Sequence, residues 1–403
     1  MVFMDIRIPR ERSHDIPGSW SMVYGRRKVG KTYMIRNFTH WDMYILIGKE
    51  GRIWVEGGPL SALDSMDSMV ELVMGELRRG RTVVVDEFQR VSLDRLERIC
   101  MAHPEGTLVL SGSSMGVIGK VLGPASPLLG KFREVRMGLL GPGELFPAYP
   151  GGLPLDYAPY LSDPWTIPLL RGGDILRDLY ALLSDTTYTV PSLLGEVFHA
   201  EDRNLSEVFQ GILGSIGAGR TKPSEMAALL YTRGIIKKDG ASQLSPYIKA
   251  MKGMGLIKEV MVYGKKRPLY RLGSPIFTVY YYMESKYGLE RGLPHFDEVR
   301  ENLNRVHGKC MEEYLVDVLA EHLGGHVNYS FEPELDGIVV DRKGRPRAVI
   351  EVKWGKARAS DVDGFVEKAV SMPGDRYLVS KTRIRREGVT TLMPDDVMGL
   401  FRP

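Results

Sequence analysis

The sequence is poor in cysteine, holding two among 403 residues, and Cys100 and Cys310 lie far apart without metal spacing. That excludes a disulfide framework and a cysteine-based zinc site, and fits a reducing cytoplasm. No apolar run approaches the roughly 20 residues needed to cross a bilayer, so no membrane partner is expected. The N-terminal Met1-Val2-Phe3-Met4-Asp5 lacks a basic stretch leading into an apolar core, so no secretory signal is expected. The eight histidines form no H-E-x-x-H pattern, which argues against a zinc enzyme. Val109-Leu110-Ser111-Gly112-Ser113 lacks the G-x-S-x-G spacing of a serine hydrolase. Internal repeats and low-complexity tracts are absent. An excess of one charge is nearly absent too: the net charge of +4 permits nucleic-acid binding without arguing for it.

What is present is an ordinary globular composition, 43% hydrophobic and 26% charged, over a length that implies two to four domains. Residues 1–140 alternate apolar strands with helical patterns, as a parallel α/β sheet does. A Pro- and Gly-rich boundary follows (Gly141-Pro142-Gly143, then Pro150 to Pro154), with a helical lid expected over 141–203. Residues 204–285 carry three short helical patterns and a basic hairpin. Residues 296–403 open with an amphipathic helix and continue as strands, two of them separated by the turn Asp341 to Arg345.

Ser21-Met22-Val23-Tyr24 reads as a strand running into Gly25-Arg26-Arg27-Lys28-Val29-Gly30-Lys31-Thr32, a full G-x-x-x-x-G-K-[ST] match, with a helical pattern after it. The glycines let backbone N–H groups face phosphates, and the helix N-terminus adds partial positive charge. Lys31 is expected to reach the β- and γ-phosphates of ATP and Thr32 to ligate Mg²⁺. Arg81 to Glu87 reads as a buried strand ending in two carboxylates. Asp86 is expected in the Mg²⁺ shell, and Glu87 to polarise the attacking water. A third strand, Thr107 to Ser114, ends in small polar residues. Ser111 or Ser113 is either a γ-phosphate sensor or an ordinary turn serine.

With these motifs the chain resembles the archaeal P-loop ATPases of the AAA+/STAND type. Those carry GRRxVGKT, then a strand ending in D-E, then one ending in G-S-S, here Gly25–Thr32, Asp86-Glu87 and Gly112-Ser113-Ser114. The family continues into a winged helix and a nuclease-like domain, so the resemblance covers nearly the whole chain. Two departures stand out. The family has an Arg after S-P-L-x-G, whereas Ser126 to Gly130 is followed here by Lys131, with Arg133 close by, and a Lys lacks the bidentate fork. The G-G-x-P signature has two imperfect candidates, Gly151 to Pro154 and Gly172 to Ile175, and neither is assigned a role.

Val208, Phe209, Ile212, Leu213 and Ile216 fall at helical spacing; Ser224 to Leu230 gives a second helix and Ser242 to Met251 a third, with Ser242 or Ser245 as its cap. A hairpin with the tip Gly264-Lys265-Lys266-Arg267-Pro268 follows. Three helices and a hairpin resemble a winged helix-turn-helix. The cations Lys265, Lys266 and Arg267 on the wing, and Lys237, Lys238, Lys249 and Lys252 beside the third helix, suit DNA phosphates. A protein-binding module or inhibitory lid remains the competing use, because the third helix offers no Arg for reading guanine.

In the last region Glu351 and Lys353 stand two apart on one strand and so share a face, with Asp336 one hairpin away and Glu312 on the preceding helix. The arrangement resembles the PD-(D/E)xK nuclease core, without the proline before Asp336. The resemblance implies Asp336 and Glu351 as metal ligands, Glu312 as an auxiliary ligand and Lys353 as the catalytic amine. The bland alternative is an ordinary Glu351–Lys353 ion pair. The expected fold is therefore α/β: a P-loop NTPase parallel sheet with a helical lid, a winged helix-turn-helix and a C-terminal α/β restriction-endonuclease-like domain. The expected function is that of an ATPase acting with DNA, with Mg²⁺ as cofactor and a metal-dependent nuclease site. The alternative is a nucleotide-controlled switch that binds proteins or further copies of itself and uses the nuclease fold as a scaffold.

Overall fold

A computed structural model describes residues 7–16, 18–58, 62–102, 105–149, 152–193 and 203–401. The first body contains β1 (Ser21–Tyr24), α1 (Lys31–Phe38), β2 (Met43–Ile47), β3 (Ile53–Glu56), β4 (Ala62–Leu63), α2 (Met66–Arg78), β5 (Thr82–Asp86), α3 (Leu93–Met101), β6 (Thr107–Gly112), α4 (Met115–Val121) and β7 (Arg133–Arg136). Its seven strands lie in the order β4-β3-β2-β5-β6-β1-β7. β2, β5, β6, β1 and β7 are parallel, and β3 and β4 form an antiparallel edge. The parallel strands are apolar on both faces because helices cover both: Val83 and Val85 pack with α2 and α3, and Val84 and Val109 with α1. The order places β6 between the P-loop strand β1 and the acidic strand β5. Their carboxyl ends, where an open α/β sheet takes its ligand, are thereby gathered on one edge.

The lid region holds α5 (Pro142–Leu145), α6 (Ala158–Leu161) and α7 (Ile175–Asp185). Pro150, Gly151 and the stretch 194–202, within the expected boundary and lid, lie outside the described residues. Gly172 sits in a turn fixed by Asp178, whose carboxylate accepts from the N–H of Arg171 and Gly172 and from the Tyr157 hydroxyl.

Next come α8 (Arg203–Gly217), α9 (Pro223–Thr232), α10 (Ser245–Gly253), β8 (Ile257–Val262), β9 (Pro268–Leu272) and α11 (Pro275–Tyr287). The three helices and the hairpin stand where the periodicity puts them, and the apolar positions of α8 are buried. The expected serine cap of α10 is absent. A 3₁₀ turn, Ala241–Leu244, runs directly into the helix, so Leu244 occupies the N-cap and neither Ser242 nor Ser245 caps it.

The C-terminal region is α12 (Phe296–His322), β10 (His326–Phe331), β11 (Glu334–Val340), β12 (Pro346–Lys353), α13 (Ala359–Ala369), β13 (Asp375–Ser380), β14 (Thr390–Leu392) and α14 (Pro394–Gly399). Its sheet runs β14-β13-β12-β11-β10-β8-β9. The expected separation of a winged helix from a nuclease-like domain is thus bridged: β8 pairs in parallel with β10, Asn328 opposite Met261 and Tyr329 opposite Val262. One apolar core also runs from the lid through α8–α11 into α12 and this sheet. α12 approaches β11 closely because Gly337 has no side chain; a Cβ there would stand 2.3 Å from Val316 Cγ1.

Two polar fastenings tie the lid to its neighbours. Asp156 accepts bonds from Lys381 (2.8 and 2.9 Å), from the Trp354 indole (2.8 Å) and, at 3.2 Å, from His307. Burial works against the Asp156 charge, but these donors outweigh it and hold its carboxyl below the usual range. Asp163, fully buried, accepts from Arg26 and, at 2.7 Å, from Ser274.

Candidate functional site

The loop between β1 and α1 is shaped by its glycines. A Cβ on Gly25 would meet the Met137 carbonyl oxygen at 2.2 Å, so only glycine lets the chain leave β1 there. Gly30, at φ 90°, is the N-cap of α1, in a left-handed conformation that glycine adopts without a steric cost. Lys28 also has positive φ, 65°. Arg27 to Thr32, Tyr33, Arg36 and Glu87 line a cavity of about 780 Å³, roofed by Pro164, Trp165 and Ile167 and walled by Ile8, Arg10 and Leu140. That volume suits a small-molecule site.

Lys31 is 7% exposed and donates to the carbonyls of Gly25 (3.0 Å) and Arg26 (2.9 Å). Burial lowers its pKa to about 8, against the opposing pull of Glu87 and Asp86. Thr32 Oγ1 donates to Asp86 Oδ2 at 2.8 Å, the Tyr44 hydroxyl donates to the same oxygen at 2.6 Å, and Asp86 Oδ1 accepts from the Glu87 N–H. Hydroxyl and carboxylate side by side at the start of a helix are hard oxygen donors that fit Mg²⁺. Glu87 departs from β5 at φ 60°, a left-handed conformation costly for a residue with a side chain. The turn swings its carboxylate off the strand into the cavity, where Gln89 holds it at 2.6 Å and Arg90 at 3.5 Å.

Ser111 lies opposite both Val23 and Asp86, and its buried Oγ has no hydrogen-bond partner among the described residues. Ser113, also buried, lies just past the strand. Of the two, Ser111 is the one placed level with Asp86 between the P-loop strand and the acidic strand.

Arg26 differs from expectation. Its guanidinium turns out of the cavity, pairs with Asp163 and lies 4.9 Å from the centre of the Phe277 ring, so only its backbone can face phosphate. Lys131 and Arg133 also stand away from the cavity. Arg133 opens β7 opposite Ser21, at the amino edge of the parallel strands, and pairs with Asp15. Sequence reasoning missed Tyr44, Arg10 and the Trp165 roof. No motif flags them, since each arrives from an element distant in sequence.

The second constellation sits on β11, β12 and α12. The register pairs Gly337 with Ile350 and Ile338 with Val349, which sets Asp336 opposite Glu351 on the face that also carries Lys353. Asp336 accepts from the Val352 N–H at 2.7 Å, and Lys353 pairs with Glu351 at 2.7 Å. Burial and the Glu351 charge push the Asp336 carboxyl up to about 6. Burial and Asp336 push Glu312, on α12, up to about 7. Lys353 is raised: burial opposes its charge, but Glu351, Asp336 and Glu312 outweigh it. All four expected residues therefore share one electrostatic locality. Among the described residues no three His, Cys, Asp or Glu side chains close on one point as a metal cage. Two mutually repelling carboxylates do fit Mg²⁺, which takes one or two protein carboxylates and keeps its remaining waters. Among the described residues no helix is long and apolar enough to cross a membrane.

No protein-family model matches the chain, and no curated protein matches its sequence. Among solved structures it is similar to the Aeropyrum pernix ORC2 protein in ADPNP–ADP complexes, at 14% identity and a TM-score of 0.41, over 77% of this chain and 98% of that one. It is also similar to the Aeropyrum pernix ORC1 protein in complex with DNA (17% identity, TM-score 0.28, 68% and 88% covered). A third is Cdc6p from Pyrobaculum aerophilum (15% identity, TM-score 0.27, 77% and 97% covered).

Proposed function

We propose that the chain is an ATPase whose nucleotide lies in the Arg27–Thr32 cavity. The observation that carries this reading is the Thr32–Asp86 bond beside a buried Lys31, with Glu87 turned into the same cavity. Lys31 exchanges its two loop carbonyls for the β- and γ-phosphates. Thr32 and Asp86 would hold Mg²⁺, which neutralises phosphate charge. Glu87 orients and deprotonates the attacking water, and Ser111 donates its unused hydroxyl near the γ-phosphate. The base packs against Ile8, Leu140, Trp165 and Ile167.

Hydrolysis by purified protein tests this. Lys31→Ala is expected to lose nearly all turnover. Glu87→Gln is expected to retain nucleotide binding and lose turnover by about 10²-fold or more; equal turnover in Glu87→Gln and wild type would remove Glu87 from the mechanism.

The C-terminal constellation supports metal-dependent cleavage of DNA phosphodiesters as an accompanying activity. Asp336 and Glu351 would hold Mg²⁺, which polarises the phosphate; Lys353 releases Glu351 and orients the water. Asp336→Ala and Glu351→Ala are expected to abolish cleavage while ATP hydrolysis persists.

A second reading, a nucleotide-controlled switch, is favoured by one observation: the P-loop side chain Arg26 is bonded to the lid through Asp163 and, through it, to Ser274 at the head of α11. In that reading the nucleotide sets the posture of the C-terminal body. Nucleotide-dependent self-association without DNA binding would select it.

A further inference from the structure

The seven-stranded C-terminal sheet has two ends, and its topology sorts the charges between them. β8 runs parallel to β10, so the wing tip after β8 lies at the same end as the β10–β11 turn. β11 runs antiparallel to β10, so Asp336, near its start, lies at that end too. β12 runs antiparallel to β11 and ends there in Glu351 and Lys353, with Lys353 opposite Ser380 on parallel β13. The loops leaving β12 and β13 therefore begin at that same end. The hairpin turn at 342–345 is at the other.

This end carries Lys265, Lys266 and Arg267 on the wing, and Lys356, Arg358 and Arg385 on the loops after β12 and β13. All six are exposed, and none has an ion-pair partner among the described residues. Glu332 on the intervening turn and Glu334 at the start of β11 leave the cations in two groups with the carboxylate site adjoining the second. β8 and β12 are three strand spacings apart and β8 and β13 four, about 14 and 19 Å.

We propose that the wing and the loops flanking Asp336, Glu351 and Lys353 form one composite binding edge for a single DNA duplex, with the wing gripping phosphates about three to four base steps from the site of cleavage. It rests on the DNA reading above and replaces two independent DNA-binding modules with one surface. The physical reason is rigidity. A wing hydrogen-bonded into the same sheet cannot swing independently of the carboxylates, so the spacing between gripped and cleaved phosphates is set by strand count.

The test uses the full chain and one short duplex, with affinity measured between about 50 and 200 mM salt. Lys265→Gln/Lys266→Gln/Arg267→Gln and Lys356→Gln/Arg358→Gln/Arg385→Gln are each expected to lower the salt slope by about two to three, and their combination to lower it by the sum. If one triple leaves affinity and slope unchanged, the composite edge is wrong while DNA binding stands. If wild-type protein shows no salt-dependent affinity for the duplex, the DNA reading fails and the edge with it. A second measurement does not depend on affinity. Lys266→Cys and Arg385→Cys, each bearing a photocrosslinker, should mark one duplex about four to six steps apart; the native cysteines are both buried. Marks a full helical turn or more apart would overturn the proposal.

Discussion

Lys31 spends its charge on two carbonyls of its own loop, and its pKa near 8 follows from burial among few compensating groups. In the proposed site a triphosphate would bind the charged amine, so nucleotide affinity should fall as pH rises through about 8; titration calorimetry across that range checks this. The carboxylates of the second site carry the opposite sign. Glu312 and Asp336 are raised to about 7 and about 6, above the ordinary unfolded values of about 4. The folded chain then binds more protons than the unfolded chain between pH of about 4 and 7, so their contribution to stability is lost as pH rises through that window. A divalent cation held by the deprotonated pair, as proposed, would relieve the loss. Mg²⁺ is therefore expected to raise the thermal midpoint more at pH of about 8 than at about 5, and Asp336→Asn to abolish the difference.

At the scale of elements, what was legible had a local cause. The strand, loop and helix of the P-loop follow from glycines, a β-branched run and helical spacing, and Asp86 stands where a buried strand ends. Glu351 and Lys353 share a face by strand alternation, whereas Asp336 joins them only because a bulge between Val339 and Val340 shifts the β11–β12 register by one residue. What was hidden depends on contacts between distant segments. Nothing in Lys258 to Val262 announces that β8 takes β10 as a neighbour, since the pairing is chosen by how α11 and α12 pack. Arg26 reads as a phosphate-loop residue until Asp163 arrives from the lid. The Leu244 cap was missed because a 3₁₀ turn supplies what a serine side chain was expected to supply. One glycine tests the packing directly: Gly337→Ala would push its Cβ into Val316. It should cost about 1–3 kcal/mol of stability by chemical denaturation, and Gly337→Ala combined with Val316→Ala should recover part of it.

Across the whole molecule, the Arg26–Asp163–Ser274 link joins the phosphate loop to the body that carries the second site. Arg26→Ala would strand a fully buried Asp163 and is expected to cost about 3–5 kcal/mol. Ser274→Ala removes one bond of the same group and should cost about 1 kcal/mol. Hydrogen exchange of Pro275–Tyr287 should respond to ATP in the wild type and lose that response in Ser274→Ala. If ATP leaves this helix unchanged in both, the link is a fastening alone. The hairpin shared between winged helix and carboxylate sheet has a further consequence, for how such a gene can be cut. A chain ending before Phe296 would keep β8 and β9 but strip β10 from the β8 edge and α12 from the apolar core it shares with α11. An unpaired strand beside an uncovered apolar face is a template for aggregation. A stop codon there is expected to yield inclusion bodies rather than a trimmed N-terminal body, so the P-loop sheet and the carboxylate sheet would be inherited, or lost, together.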